Sequence, residues 1–306
     1  MDKRHGHTSL IDLQDSGYVR NHVRFTSGFT NKRPAHGPDL TSPLEHIQIG
    51  FPKLPRIESH TYFELLRRWL EDCDEKHAEC YPENLARGPT RVPTRLIDVG
   101  EGKYSRTVRL HEIGARKADK SEELRYIALS HPWGDENYHN HFCTTSKNIV
   151  DRVETGILVT ELPDTFKHAV KVTRELGVRY LWIDSLCIIQ GNDGDFEEEA
   201  KRMETVFSSA YCVIASSRAT GTSDGFLKDR PDRKFIRFEG SSENPFYICE
   251  AIDHFRHDVI EGALNRRGWV LQERALARRT IYFTEEQTYW ECGEGVRCET
   301  LTRMRK

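Results

Sequence analysis

No apolar run in this 306-residue chain approaches the roughly 18–20 residues that cross a bilayer, so no membrane span is expected. Neither sign of charge dominates: Lys plus Arg number 45 and Asp plus Glu 48, leaving a formal net charge of −3. Without a basic excess to neutralise phosphates, the simplest kind of nucleic-acid binder is excluded and no nucleic-acid partner is expected. Eight cysteines are too sparse for a disulfide scaffold. The N-terminal stretch MDKRHGHTSLIDLQDSG has no apolar core to serve as a secretory signal. A reducing, cytoplasmic setting follows as the expectation. GxGxxG and GxxxxGK[ST] are both missing, which leaves a dinucleotide-fingerprint Rossmann fold and a P-loop without support. No nucleophile elbow and no internal repeat occur.

What is present falls into blocks. Residues 1–60 are rich in Gly, Pro, His, Ser and Thr with little periodicity, and are read as irregular or disordered. Residues 61–123 form a lead-in. Phe63, Leu66, Trp69, Leu70 and Cys73 recur at three- and four-residue spacing, which predicts a helix over about 62–79. RLIDVG and TVRLHEI predict a β-hairpin. From about Leu124 the pattern changes: YIALS is a short apolar strand and LPDTFKHAVKVTRELG an amphipathic helix that Gly177 stops. VRYLWIDSLCIIQ reads as a buried strand, FEEEAKRMETVFSSA as a helix with acids at its positive end, and AYCVIASS as a third strand. Alternation of this kind predicts an α/β fold with a mostly parallel sheet and helices on both faces. Residues 217–262 read as an insertion bearing the strands FIRFEG and FYICEAI. The helix RRGWVLQERALARR follows, then the strands TIYFT and QTYWECG. Residues 293–306 read as a tail whose abrupt end fits a piece of something longer.

Three segments carry a resemblance in order: YIALSHPWG; LGVRYLWIDSLCIIQ with DFEEEAKRM and FSSAYCVIAS; and RGWVLQERALARRTIYF with YWEC. Together, over about 124–292, they resemble the fungal heterokaryon incompatibility (HET) domain, with His131 and Phe196 where that family usually has Tyr and Trp. HET domains in turn distantly resemble Toll/interleukin-1 receptor (TIR) domains, whose sheet is flavodoxin-like and many of which cleave NAD. The TIR Trp-Cys-x-x-Glu element is matched here by Trp269-Val270-Leu271-Gln272-Glu273, with Val for Cys. The resemblance implies an incompatibility-type cell-death effector that cleaves NAD at the nicotinamide–ribose bond. The competing expectation is a non-catalytic, self-assembling adaptor. NAD or a related nucleotide is expected as substrate, with no cofactor required. Self-association on activation and a protein partner in incompatibility signalling are also implied.

Glu273 is the candidate catalytic carboxylate, because cleavage at the ribose builds oxocarbenium-like charge that a carboxylate stabilises. Structural pairing with Arg274 or Arg278 is the alternative reading. Asp184 ends a buried run, where open α/β sheets bind ligands. Ser130, Trp133 and Gly134 form the loop after the first strand, with Gly134 permitting close backbone approach. Trp269 completes the nucleotide pocket, and Arg267, beside Arg266, is placed to meet a pyrophosphate. Glu199 fits the family pattern, although acids in a helix's first turn usually face solvent or complement its dipole. Ser185 and Cys187 are set aside as nucleophiles because their run is buried. Cys73, His77 and Cys80 have metal-ligand spacing but no neighbouring fourth ligand, so no metal is expected, although Cys292 and Cys298, distant in sequence, could fold close.

Overall fold

The computed structural model describes residues 52–80, 92–100, 102, 105–113, 124–134, 142–238, 246–266, 268–301 and 303–304. Residues 1–51 of the segment read as irregular lie outside these. The chain divides into two compact units, one of residues 49–232 and 251–306, the other of residues 1–48 and 233–250.

The larger unit opens with α1 (His60–Lys76). Ser59 caps it, its Oγ accepting from the Tyr62 amide at 3.1 Å, and the spaced residues Phe63, Leu66, Trp69, Leu70 and Cys73 are all buried. The expected hairpin forms from β1 (Arg95–Asp98) and β2 (Thr107–Glu112), paired antiparallel. β3 (Tyr126–Ser130) is buried at all five positions. Then come β4 (Thr144–Thr145), α2 (Ile149–Glu154) and β5 (Ile157–Leu158). α3 (Asp164–Glu175) buries Phe166, Ala169, Val170 and Thr173 and ends at Gly177, whose φ of +72° supplies the left-handed stop.

The apolar run after it divides. β6 is only Tyr180–Trp182; Asp184–Cys187 form the short helix α4, and Ile189–Gln190 form β7, which pairs with β4. The run was expected as one strand, but apolarity alone does not separate a buried strand from a buried helical turn. The acidic segment likewise makes two helices, α5 (Phe196–Ala200) and α6 (Met203–Ser209). β8 (Cys212–Ala215) is buried throughout. In the smaller unit β9 (Phe235–Phe238) and β10 (Phe246–Cys249) form an antiparallel ribbon, within the expected insertion. α7 (Gly268–Leu276), β11 (Arg279–Phe283), β12 (Thr288–Cys292), β13 (Gly295–Cys298) and β14 (Arg303–Met304) complete the larger unit.

Ten strands make one sheet in the order β14-β13-β12-β11-β8-β3-β6-β1-β2-β5, flanked by helices. The fold is α/β as expected, but the sheet is mixed rather than mostly parallel. Parallel pairing is confined to β11-β8-β3-β6, and both wings are antiparallel. β1 and β2, and β11 through β14, follow one another through short connections, which favour antiparallel neighbours, whereas the central parallel strands are linked by helical crossovers. Residues 293–306, expected as a tail, instead supply β13 and the edge strand β14.

The order has a consequence for function. From β3 the chain crosses to β6 on one side, and from β8 it crosses to β11 on the other. The switch point of the parallel core therefore lies between β3 and β8, where α/β sheets open a crevice beyond their carboxyl ends. The loop after β8 is pinned beside this crevice by α3. His168 Nδ1 accepts from the amides of Phe226 at 2.8 Å and Leu227 at 3.0 Å.

A ring nitrogen that accepts must be unprotonated, and burial lowers the His168 pKa from its ordinary value. The unfolded chain takes up this proton below about pH 6.5, so acid favours unfolding. The His168 contribution is complete above about pH 6.5 and is lost as pH falls below it. Denaturant midpoints compared across that range should drop for the wild type and drop less for His168→Gln. Equal slopes for the two proteins would contradict the bond.

Candidate active site

Two carboxylates from distant parts of the chain meet one short segment at the end of β3. Ser130 pairs with Ala215 across the β3–β8 switch point, and its backbone carbonyl accepts from the Ser216 amide at 3.0 Å. With its backbone fixed, the Ser130 Oγ donates to Glu273 Oε2 at 2.5 Å. α7, lying in the crossover from β8 to β11, brings Glu273 over the strand tips. Three residues further on, the Trp133 indole Nε1 donates to Asp184 Oδ2. Asp184 opens α4 and also accepts from the Ser185 amide at 2.7 Å. His131 Nδ1 stands 3.9 Å from Asp184 Oδ1, in a buried ring set edge-on to Phe166. Ser130, Trp133, Asp184 and Glu273 are thus brought together by three elements and one loop.

Gly134 has φ +88°, and a Cβ placed on it would stand 3.1 Å from the Gly221 Cα. Glycine is required there, and the close backbone approach it permits is to this chain's own loop. Arg267 lies outside the described residues, as does the side chain of Trp269. Arg274 is engaged by Glu291 at 3.0 Å and by the Tyr282 hydroxyl, while Arg278 donates to the Glu79 carbonyl. Glu199 is buried at the same edge of the sheet, on the β1 side, accepting from Thr94 at 2.6 Å with Arg202 at 3.4 Å. Ser185 and Cys187 are buried as expected, and burial pushes the Cys187 thiol up to about 12, far from a reactive thiolate.

Beside the Ser130–Glu273 bond lies a small pocket walled by Val213, Ala215, Leu264, Val270, Tyr282 and Thr280. Its open space is about 10 Å³, room for roughly one water. These walls come from β8, β11, α7 and the turn before α7, and no local spacing in the sequence joins them.

A second constellation lies at the C-terminal end of α1. Cys73, His77, Cys80 and Cys292 place their ligand atoms within 4.8 Å of one another. Cys292, the last residue of β12, is the fourth member that the sequence could not assign. Its Sγ is 3.5 Å from His77 Nδ1, and hydrogen bonding from Cys73 draws its thiol below the ordinary thiol range. Cys298 is elsewhere, bonded to Thr300 and Asp253.

Residues 126–273, just under half of the chain, match the model of the heterokaryon incompatibility protein (HET) family, so this segment is a HET domain. The matched segment begins on the first residue of β3 and ends on Glu273, enclosing both partners of the central hydrogen bond. No curated protein and no solved structure matches the chain. No helix among the described residues is long and apolar enough to cross a membrane.

The Trp133–Asp184 bond joins an indole donor to a mostly buried carboxylate, an arrangement worth about 1.5–3 kcal/mol. Trp133→Phe keeps an aromatic ring, though a smaller one, and deletes the donor. Equilibrium unfolding should register a loss in that range, and an unchanged stability would show that the bond does not hold the loop.

Proposed function

We propose that this chain is a cell-death effector of heterokaryon incompatibility that cleaves NAD at the nicotinamide–ribose bond. The observation that carries the reading is the Ser130–Glu273 hydrogen bond at the switch point of the parallel core. The spacing from Trp269 to Glu273, shared with NAD-cleaving TIR domains, supports it. As the bond from ribose C1′ to the nicotinamide nitrogen breaks, its electron pair leaves with neutral nicotinamide and positive charge develops on the sugar. A carboxylate held at that position stabilises the charge. Water then adds to C1′ and loses a proton to solvent. Ser130 positions Glu273, and Trp133 with Asp184 shapes the adjoining loop. The protein acts in the cytoplasm and its substrate needs no further cofactor.

A pocket with room for roughly one water does not admit a dinucleotide as it stands. Separation of α7 from the β3 loop, driven by self-association, opens it in this reading. The same closed pocket favours the second reading, a non-catalytic module that assembles and recruits a protein partner.

Nicotinamide release from NAD separates the two. Wild-type protein, dispersed and artificially oligomerised, should release nicotinamide in at least the oligomerised sample. Glu273→Gln should lower the rate by about 100-fold or more, the usual scale for losing an electrostatic stabiliser. No release from either form of the wild type would leave the adaptor reading.

A further inference from the structure

We propose that Cys73, His77, Cys80 and Cys292 bind one zinc ion in a closed structural site. The four ligand atoms lie within 4.8 Å of one another. A tetrahedron with zinc–sulfur bonds of about 2.3 Å has edges of about 3.8 Å, so modest contraction closes the shell. The donor chemistry is selective. Three sulfurs and an imidazole suit zinc, while calcium and magnesium require oxygen ligands. Four protein ligands leave no open position for water, which marks the site as structural rather than catalytic.

The local structure fits the role. Cys73 and His77 are four apart, on the last turn of α1 and at its C-cap, so both project from one side of the helix end. The chain then turns through a short 3₁₀ segment, Ala78–Cys80, that returns Cys80 to the same place. Cys73, Cys80 and Cys292 are all buried. Gly293 faces Cys80 so closely that a Cβ there would stand 3.0 Å from the Cys80 sulfur. All eight cysteines are free thiols, so no disulfide competes in this arrangement.

The ion would join α1 to the β12–β13 turn, closing a loop from Cys80 to Cys292 that contains the whole matched HET segment. Metal binding then contributes directly to folding of the larger unit.

The test uses the full chain, produced with zinc in the medium and passed through gel filtration. Elemental analysis should find one zinc per chain. Cobalt exchanged into the wild-type protein should give the visible bands of tetrahedral cobalt with thiolate-to-metal charge transfer. Cys292→Ser should weaken the charge-transfer band or lose the metal. Cys298→Ser, outside the cluster, should leave metal content unchanged. Because the cobalt spectrum is read on the wild type, a variant that fails to fold does not remove the test. Folded wild-type chain that holds neither metal, or that reacts with a thiol alkylating reagent equally fast with and without zinc, would overturn the proposal. So would a Cys73–Cys292 disulfide in the reduced preparation.

Discussion

The four residues from Ser130 to Trp133 hold two carboxylates that the chain delivers from opposite directions. Ser130 takes Glu273 from α7, and Trp133 takes Asp184 from α4. This double tether is possible only because β3 lies at the centre of the parallel core, with β6 on one side and β8 on the other. β6 ends where Asp184 must begin α4, and β8 leads into the crossover that contains α7. A register shift of β3 against either neighbour would turn its alternating side chains over and break both bonds at once. The geometry of the site is in this sense a property of the sheet.

The sheet is larger than the family segment within it. Strands β1 and β2 precede residue 126, and β11 to β14 follow residue 273, yet all belong to one ten-stranded sheet. α1 is bound to the later wing by specific polar contacts. Asp74 accepts from Arg279 at 2.5 Å and from the Tyr211 hydroxyl at 2.7 Å, Asp72 pairs with Arg297 at 3.2 Å, and the Tyr62 hydroxyl meets Thr288 at 2.8 Å. The Arg279 side chain is fully buried, and an ion pair there is costly to break from either end. The HET segment is thus clasped between residues that precede and follow it, and the zinc ligands lie along the same clasp.

Much of this was legible in the residues themselves. α3 and the buried strands β3 and β8 announce themselves because one apolar face or an unbroken apolar run leaves few alternatives. Asp184 was placed at a strand end by the same reasoning. The run from Tyr180 to Gln190 was less transparent: it is apolar whether it stays extended or turns into α4, and only the tertiary requirement that Asp184 meet Trp133 distinguishes the two. The Ser130–Glu273 bond spans 143 residues, so no local spacing could report it. Cys292 and Cys298 are both distant cysteines that could fold close, and the sequence could not choose between them, since three ligands are local to α1 and its turn while the fourth comes from the far wing. Gly134 was marked for close approach to a nucleotide, and the approach the structure shows is to Gly221.

The proposed cleavage of NAD requires a dinucleotide to bind against the segment from Ser130 to Trp133, which holds Glu273 and Asp184. The Trp133 indole N–H reports on that segment directly, because it is bonded to Asp184 and can be assigned by its disappearance in Trp133→Phe. Titrating NAD into isotopically labelled protein carrying Glu273→Gln, which blocks turnover, should move this resonance saturably while buried indoles such as Trp182 and Trp290 stay in place. An indole signal that does not respond to NAD, in dispersed and in oligomerised protein alike, would contradict the claim.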